Sequence, residues 1–440
     1  MNGPSKKPAY NLKVVIRETG LKADTLRAWE RRYGLPNPQR TAGGHRLYSQ
    51  YDIEMIKWLI ERLDEGLRIN RAVQLWQSFE EQGQDPLQMM PSAGTRQPFA
   101  GGESLSGATL DDIREQWIAA CLAFDEVRAE NLLAQAFARY PLETVCLEVL
   151  RQGLHEIGEL WYTGESSVQQ EHFASSLAIR RLNALLAAAP TPTRRGKILT
   201  AAPPGENHIF SLLLVTLFLR LRGWEVIYLG ANVPINKLDE TIRISRPDLV
   251  ISVAHQLFTA SSLFEVAKYL RAEKVPLAFG GLIFNLLPNL QERIPGNFLG
   301  NSLDDIVQSV EQLMFHPREI PGMEPIPEIY LNAADHFREF QPVIAADLWE
   351  QFKSNGMDVR HLEIANEFLG KDILAGLSLG DVNLLEHEID WLAGLLKTHN
   401  IPSELLPEYL MFYKQAVETN LDQRGQPVVD WLNSVVNKSE

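Results

Sequence analysis

Between residues 196 and 315, short apolar runs alternate with helix-like ones: "KILTAA", "EVIYLG", "LVISVA" and "PLAFGG". Each is rich in β-branched or aromatic residues, and each is followed by a turn and usually by a helical pattern. Strands joined through helices cannot pair as hairpins. They must lie parallel, with the crossover helices packed on the sheet. The stretch 194–320 is therefore predicted to be a Rossmann-like α/β domain, with "NFLG" as a fifth, edge strand. Ligands of such open sheets sit where the strands end. That directs attention to the loop after the first strand.

The loop reads "PPGENHIFSLLL". It places Glu206 and His208 in a glycine-led turn at the mouth of an apolar run, Ile209 to Leu219. A neutral imidazole is a good ligand for a first-row metal. A carboxylate bonded to its other nitrogen fixes the tautomer and raises basicity, and Glu206 is the candidate for that role. One histidine cannot build a zinc site, and no Cys or His pair stands nearby at ligand spacing. A lone histidine ligand makes sense if the metal arrives already chelated in a macrocycle.

The remaining chain divides by pattern. Residues 1–80 carry short helical patterns around one turn-rich interval, and 81–108 lose all periodicity in a Gly, Pro, Ser and Gln linker. Helical patterns fill 109–193, opened by the N-cap candidate Thr109, and amphipathic helices return over 330–440. The predicted fold class is multidomain, α and α/β. The net charge of -14 hides a split. Residues 1–50 hold ten Lys and Arg against three acids, whereas 331–440 hold eight against eighteen. A basic head suited to an anionic partner and an acidic tail that is not follow from this. Cys121 and Cys146 are too few for a disulfide framework. The N-terminus lacks a signal-peptide core, and the longest apolar run is too short to span a bilayer. The expectation is a cytoplasmic protein with no membrane partner. His336, His361, His387 and His399 of the tail are scattered and form no predicted site. The tail is expected to serve oligomerisation or partner binding.

In the basic head, "NLKVVIRETGLKADTLRAWERRYGL" fits helix, turn, helix, with Gly20 as breaker and Asp24 as a cap for the second helix. Arg27 and Arg31 stand one turn apart, and "NPQRTAGGHRLY" supplies a basic glycine hairpin. A basic recognition helix beside such a hairpin is a winged helix-turn-helix. Residues 10–78 resemble the DNA-binding domain of the MerR family of transcription regulators. The resemblance implies a double-stranded DNA operator contacted by Thr25, Arg27, Arg31, Arg32 and Tyr33. Arg40, His45, Arg46 and Tyr48 lie in or near the wing, and Leu26 and Trp29 in the core. A single module has a small footprint, so a homo-oligomer, dimer or tetramer, on spaced half-sites is expected.

The central domain resembles the cobalamin-binding domain of methionine synthase, corrinoid methyl carriers and cobalamin mutases. The motif residues are Glu206-Asn207-His208-Ile209-Phe210-Ser211, then Ser252-Val253-Ala254, then Gly280-Gly281. The resemblance implies cobalt held through the corrin, with His208 as its lower ligand. It also implies Ser252 near the nucleotide base and both glycines beside the nucleotide tail. Ser211 and Ala254 replace an expected glycine and leucine. The helical segment adds Trp161, then nine residues, then Glu171-His172. That spacing resembles the helical-bundle cap of the cobalamin-dependent MerR-type repressors that sense light. In them these side chains cover the upper face, where adenosylcobalamin carries its 5′-deoxyadenosyl group. Tyr162 stands where the light sensors have the histidine that ligates cobalt after illumination. The expectation is a non-enzymatic, cobalamin-controlled DNA-binding regulator, a repressor by resemblance. The alternatives are a corrinoid methyl carrier, which has no use for a winged helix, and a regulator whose cobalamin site has degenerated. A corrinoid enzyme needs a catalytic partner, often a barrel of about 250 residues, and no remaining stretch is long enough for one.

Overall fold

Asn11 closes the two-residue strand β1 (Tyr10–Asn11), and its side chain accepts from the Val14 N–H to start α1 (Leu12–Thr19). This is seen in a computed structural model that describes residues 4–41, 43–64, 69–81, 86–89, 109–300, 303–316, 318–355, 362–398, 402 and 405–439. The chain forms two units, Met1–Ser106 and Gly107–Glu440.

In the first unit, Gly20 ends α1 at φ 68°, and α2 (Ala23–Tyr33) follows. Lys22, not Asp24, holds the N-cap position, and its side chain makes no cap bond. Asp24 lies in the first turn, where its charge complements the helix dipole. The wing is the antiparallel pair β2 (Gln39–Arg40) and β3 (Arg46–Tyr48), and β1 joins β3 on its other side. Then come α3 (Gln50–Asp64) and α4 (Ile69–Glu81). A short helix, α5 (Pro86–Met89), falls inside the interval read as linker. Proline at a first helical position needs no N–H partner, which permits that turn. Val15, Leu26, Tyr48 and an edge-on Trp58–Trp76 pair form the core.

The second unit opens with a helical bundle: α6 (Leu110–Leu122), α7 (Glu126–Arg139), α8 (Leu142–Val145) leading to α9 (Gln152–Tyr162), and α10 (Val168–Ala187). Thr109 with Asp112 and Ser167 with Gln170 form capping boxes that fix where α6 and α10 start. A π-helical turn, Cys146–Arg151, joins α8 to α9. Both cysteines are buried and unpaired.

The sheet strands are β4 (Lys197–Ala201), β5 (Glu225–Gly230), β6 (Leu249–Val253), β7 (Leu277–Gly280) and β8 (Asn297–Phe298). Their spatial order is β5-β4-β6-β7-β8, all parallel, with "NFLG" at the edge as predicted. The crossovers carry α11 (Phe210–Leu221), α12 (Leu238–Ser245), α13 (Leu257–Ala272) and the short α14 (Leu282–Leu286). α15 (Leu303–Phe315) follows β8 and packs beside α11. The apolar run that first read as too short for a membrane is α11, buried along almost its whole length between β4, β5 and α10. Among the described residues no helix is long and apolar enough to cross a membrane.

The last helices are α16 (Glu328–Ser354), α17 (Leu362–Ser378), α18 (Glu386–Thr398), α19 (Leu405–Asn420) and α20 (Gln426–Ser439). They share one continuous apolar core with α13 and β7, and α17 packs along α13. At this junction the Phe258 N–H bonds to Asp372, and Glu388 of α18 is close. Burial, then the Glu388 charge, push the Asp372 carboxyl up to about 8, while Lys371 and the Phe258 N–H oppose the shift. His387 adds an opposing charge on the Glu388 side. The unfolded chain ionises at about 4, so between about pH 4 and 8 it releases a proton that the folded chain keeps. Stability is full below the unfolded value and is lost as pH rises toward 8. Asp372→Asn, neutral throughout, is expected to raise stability at pH 8 by on the order of 2 kcal/mol and to change little at pH 4. Thermal melts of both chains across that range measure it.

Candidate cofactor site and nucleic-acid interface

The first unit offers a basic face. Arg31, Arg32, Arg40 and His45 are exposed, Thr25 and Tyr33 are half-buried, and Arg27 is exposed but pairs loosely with Asp24 at 3.5 Å. Two of the residues assigned to the wing are otherwise engaged. Arg46 donates through Nε to Glu30 at 2.8 Å, and the Tyr48 hydroxyl donates to the other Glu30 oxygen at 2.5 Å. Tyr48 is fully buried, and that burial followed by the Glu30 contact pushes its phenol well above the usual range. In this structure Tyr48 is a core residue and reaches no solvent. Glu30, which sequence reasoning passed over, clips α2 to the wing strand and so fixes the angle between the two.

The second site grows from the β4–α11 loop. Gly205 turns the chain at φ 84°, and its N–H donates to the Asn232 side chain at 2.8 Å. Asn232 and Val233 in turn donate backbone N–H groups to Glu206 and Ala202. The loops after β4 and β5 are thus laced together, and Glu206 is carried inward until none of its side chain is exposed. One carboxylate oxygen accepts the His208 N–H at 2.8 Å and His208 Nδ1–H at 2.9 Å. The other accepts the His255 N–H at 2.7 Å and the Thr259 hydroxyl at 2.8 Å. Burial alone would push Glu206 up. The hydrogen bonds from His208 and His255 and the His255 charge outweigh it, and the carboxyl is held well below the usual range. The same hydrogen bond raises His208 against the effect of burial, with further help from the charges of Glu206 and Glu171. Glu171 lies on α10 of the bundle, near enough for its charge to act on His208.

His208 therefore has its tautomer fixed. Nδ1 is spent on Glu206, Nε2 has no partner among the described residues, and 62% of the side chain is exposed. Glu206, His208 and His255 are the one group among the described residues whose ligand atoms lie close enough to hold a bare ion, within 4.8 Å. Such an ion would have to strip a carboxylate that already accepts four hydrogen bonds. A metal needing only one imidazole fits better. Ser211 contributes a hydroxyl 3.3 Å from His255 Nε2, while His255 Nδ1 is buried without a hydrogen bond, 3.4 Å from Glu206.

Ser252 is buried, donates to the Ala201 carbonyl at 2.7 Å, and lines a narrow apolar cavity of ≈ 20 Å³ with Val233, Ile235, Leu238 and Leu270. At that volume the cavity takes a ring system only if its lining moves. Gly280 has nothing within 4 Å of where a Cβ would stand, so a ligand chain can pass its backbone. Gly281 is glycine for the protein's own sake. Its φ is 119°, and a Cβ would stand 2.0 Å from the Ala254 carbonyl oxygen. On the bundle, Glu171 binds His172 Nδ1 at 2.7 Å and Ser175 at 2.6 Å. The Trp161 ring lies 6.4 Å from Trp391, a tail residue that sequence reasoning missed.

These two sites define a class: a winged helix-turn-helix module joined to a helical cap and a Rossmann-like corrinoid domain. Comparison with known proteins agrees. Residues 10–78 match the family model "MerR HTH family regulatory protein", and residues 113–186 and 196–300 match two models described as "B12 binding domain". The chain is 34% identical over 243 residues to the HTH-type transcriptional repressor CarH of Myxococcus xanthus, covering 55% of this chain and 77% of that protein. It is 29% identical over 241 residues to the repressor CarA of the same organism, covering 54% and 74%. Among solved structures, the Methanosarcina barkeri monomethylamine corrinoid protein aligns at 17% identity with a TM-score of 0.42, over 47% of this chain and 100% of that one. The chain belongs to the family of HTH-type transcriptional repressors that includes CarH and CarA.

Proposed function

We propose that this protein is a cytoplasmic transcriptional repressor whose oligomeric state and DNA binding are set by cobalamin, in its adenosyl form, and by light. The observation that carries the reading is His208. It is an exposed imidazole with its tautomer locked by a buried carboxylate, at the carboxyl edge of a parallel sheet, in a chain that also carries a basic winged helix. His208 would hold the metal from below. Gly280 and the cavity beside Ser252 would take the nucleotide tail, and Trp161, Glu171 and His172 would cover the upper face. Ser211 faces His255 and leaves Nε2 of His208 unencumbered. Bound adenosylcobalamin supplies a cobalt–carbon bond that visible light can break.

The protein's own part is differential contact. Bundle and sheet residues that meet across the cofactor favour one arrangement of the unit. Loss of the upper group removes contacts made only in that arrangement and shifts the population. Arg31 and Arg32 of α2 would enter the major groove, and Arg40 and His45 of the wing would grip phosphates. Tyr162 is a poor cobalt ligand near neutral pH because a phenol stays protonated. The illuminated state is expected to lack a second protein ligand from that position.

The test uses the full chain purified with adenosylcobalamin in the dark, divided, and half exposed to green light. The expected result is a corrinoid spectrum, a larger species in size exclusion, and operator binding in the dark, with the last two lost after light. Failure of any corrin to co-elute would overturn the proposal. DNA binding that is equal in the two halves would remove light and leave cobalamin alone as the signal.

A further inference from the structure

The acidic tail touches the cofactor site from both sides. On the sheet side, the Phe258 N–H bonds to Asp372 of α17, and Lys371 Nζ lies 5.5 Å from the Phe258 ring. That ring stands 3.1 Å from where a Cβ on Gly205 would be, and the next residue, Thr259, holds Glu206. On the bundle side, α18 receives the end of α9. Trp391 lies 6.4 Å from Trp161 and 6.1 Å from Tyr162, with rings tilted by 40° and 32°. The Thr398 hydroxyl donates to the Tyr162 carbonyl at 2.7 Å. Gly394 leaves room for the Tyr162 hydroxyl, which would stand 2.2 Å from a Cβ there. Gly164, at φ 78°, approaches the Thr398 carbonyl, 3.2 Å from its own absent Cβ. Residues 391, 394 and 398 share one helix face, so this is a single built contact along α18.

We infer that the C-terminal helices strap the two halves of the cofactor site together, and that Trp391 is a specificity-determining residue which extends the Trp161 wall to stack on a bulky organic upper ligand. This rests on the proposed cobalamin site. Trp391 packs against two aromatic neighbours, and the Thr398 bond ties its helix to Tyr162, yet 40% of the Trp391 surface stays open. The open part of the ring is apolar surface that a ligand can cover. The two indoles, tilted by 40°, form an angled apolar wall, which favours an organic group over a bound water or hydroxide. The docked α18 also accounts for Tyr162, whose ring and carbonyl are both used by the tail.

Binding of adenosylcobalamin and of hydroxocobalamin in the dark, by equilibrium dialysis, gives an affinity ratio for the full chain and its variants. Trp391→Ala is expected to lower the preference for the adenosyl form about tenfold while hydroxocobalamin affinity stays within about twofold. Gly394→Ala drives a methyl group into the Tyr162 hydroxyl. It is expected to speed amide exchange over 386–398 in the cofactor-free chain and to lower the same ratio. Adding Tyr162→Phe removes the clash and is expected to restore both readouts, which a merely misfolded variant would not do. If the wild type binds corrin through His208 but the variants keep its ratio, or Trp391→Ala raises adenosyl affinity, this inference alone fails. So it does if 386–398 already exchanges freely in the wild type. If no corrin binds at all, the proposed function fails with it.

Discussion

Replacing His208 with alanine is expected to weaken cobalamin binding by about 100-fold or more, since even the groups that merely orient a metal ligand are worth about 10–100-fold. The absorbance of whatever corrin remains bound should lack the signature of a protein nitrogen below the cobalt. The fold should hardly change. The ring is mostly exposed, and the backbone N–H of residue 208 still reaches Glu206. A drop in stability of about 1–3 kcal/mol, the cost of the one hydrogen bond lost to Glu206, with the unfolding transition still cooperative, separates loss of a ligand from loss of structure. Free imidazole should restore part of the binding by filling the vacated position. Unchanged affinity in the variant would mean that the cobalt is held some other way, and the lower-face assignment would have to be abandoned.

The fold was legible because the patterns that encode it are local. Five strands with helices between them leave few arrangements, and the parallel pairing and the edge position of the fifth strand are the expected ones, whereas the order of the others is not legible from the pattern. The apolar run after His208 is a helix, and the Thr109 cap is where its side chain predicted. What stayed hidden depends on contacts between distant residues. His255 and Thr259 share Glu206 across 49 and 53 positions, and no spacing rule links them. Glu30 reaches Tyr48 over 18 positions, and that bond draws inward a tyrosine that reads as part of the basic face. Asp24 looks like a cap by residue type, but the helix begins at Ala23, so Asp24 is its second residue, two positions past the cap. Trp391 lies 229 residues beyond Tyr162, in a tail whose amphipathic helices suggested only oligomerisation or partner binding. Its role emerges from Gly394 and Thr398 aligning along the same face.

Glu206→Ala is expected to cost about 3–5 kcal/mol of stability, the range for breaking a buried charged network by removing one partner. The carboxylate accepts from the His208 N–H and Nδ1–H, the His255 N–H and the Thr259 hydroxyl, and it has no exposed surface. Alanine removes the acceptor shared by these donors, and an unmade buried hydrogen bond costs about 1–3 kcal/mol. Glu206→Gln keeps the shape and one acceptor oxygen but turns an NH2 group toward donors, so it should fall between alanine and the wild type. The pH dependence has a definite sign. The folded carboxyl is depressed, so its contribution is present above the unfolded value of about 4.3 and is lost as pH falls through the folded value. Denaturant melts should show the gap between wild type and Glu206→Ala full at pH 7 and narrowing in strong acid. The same variant frees the His208 tautomer, so cobalamin binding should weaken as well, and the His208→Ala result tells how much of that loss comes from the imidazole alone. A Glu206→Ala chain as stable as the wild type would mean that water makes these four bonds in solution, and the case for a locked imidazole would go with them.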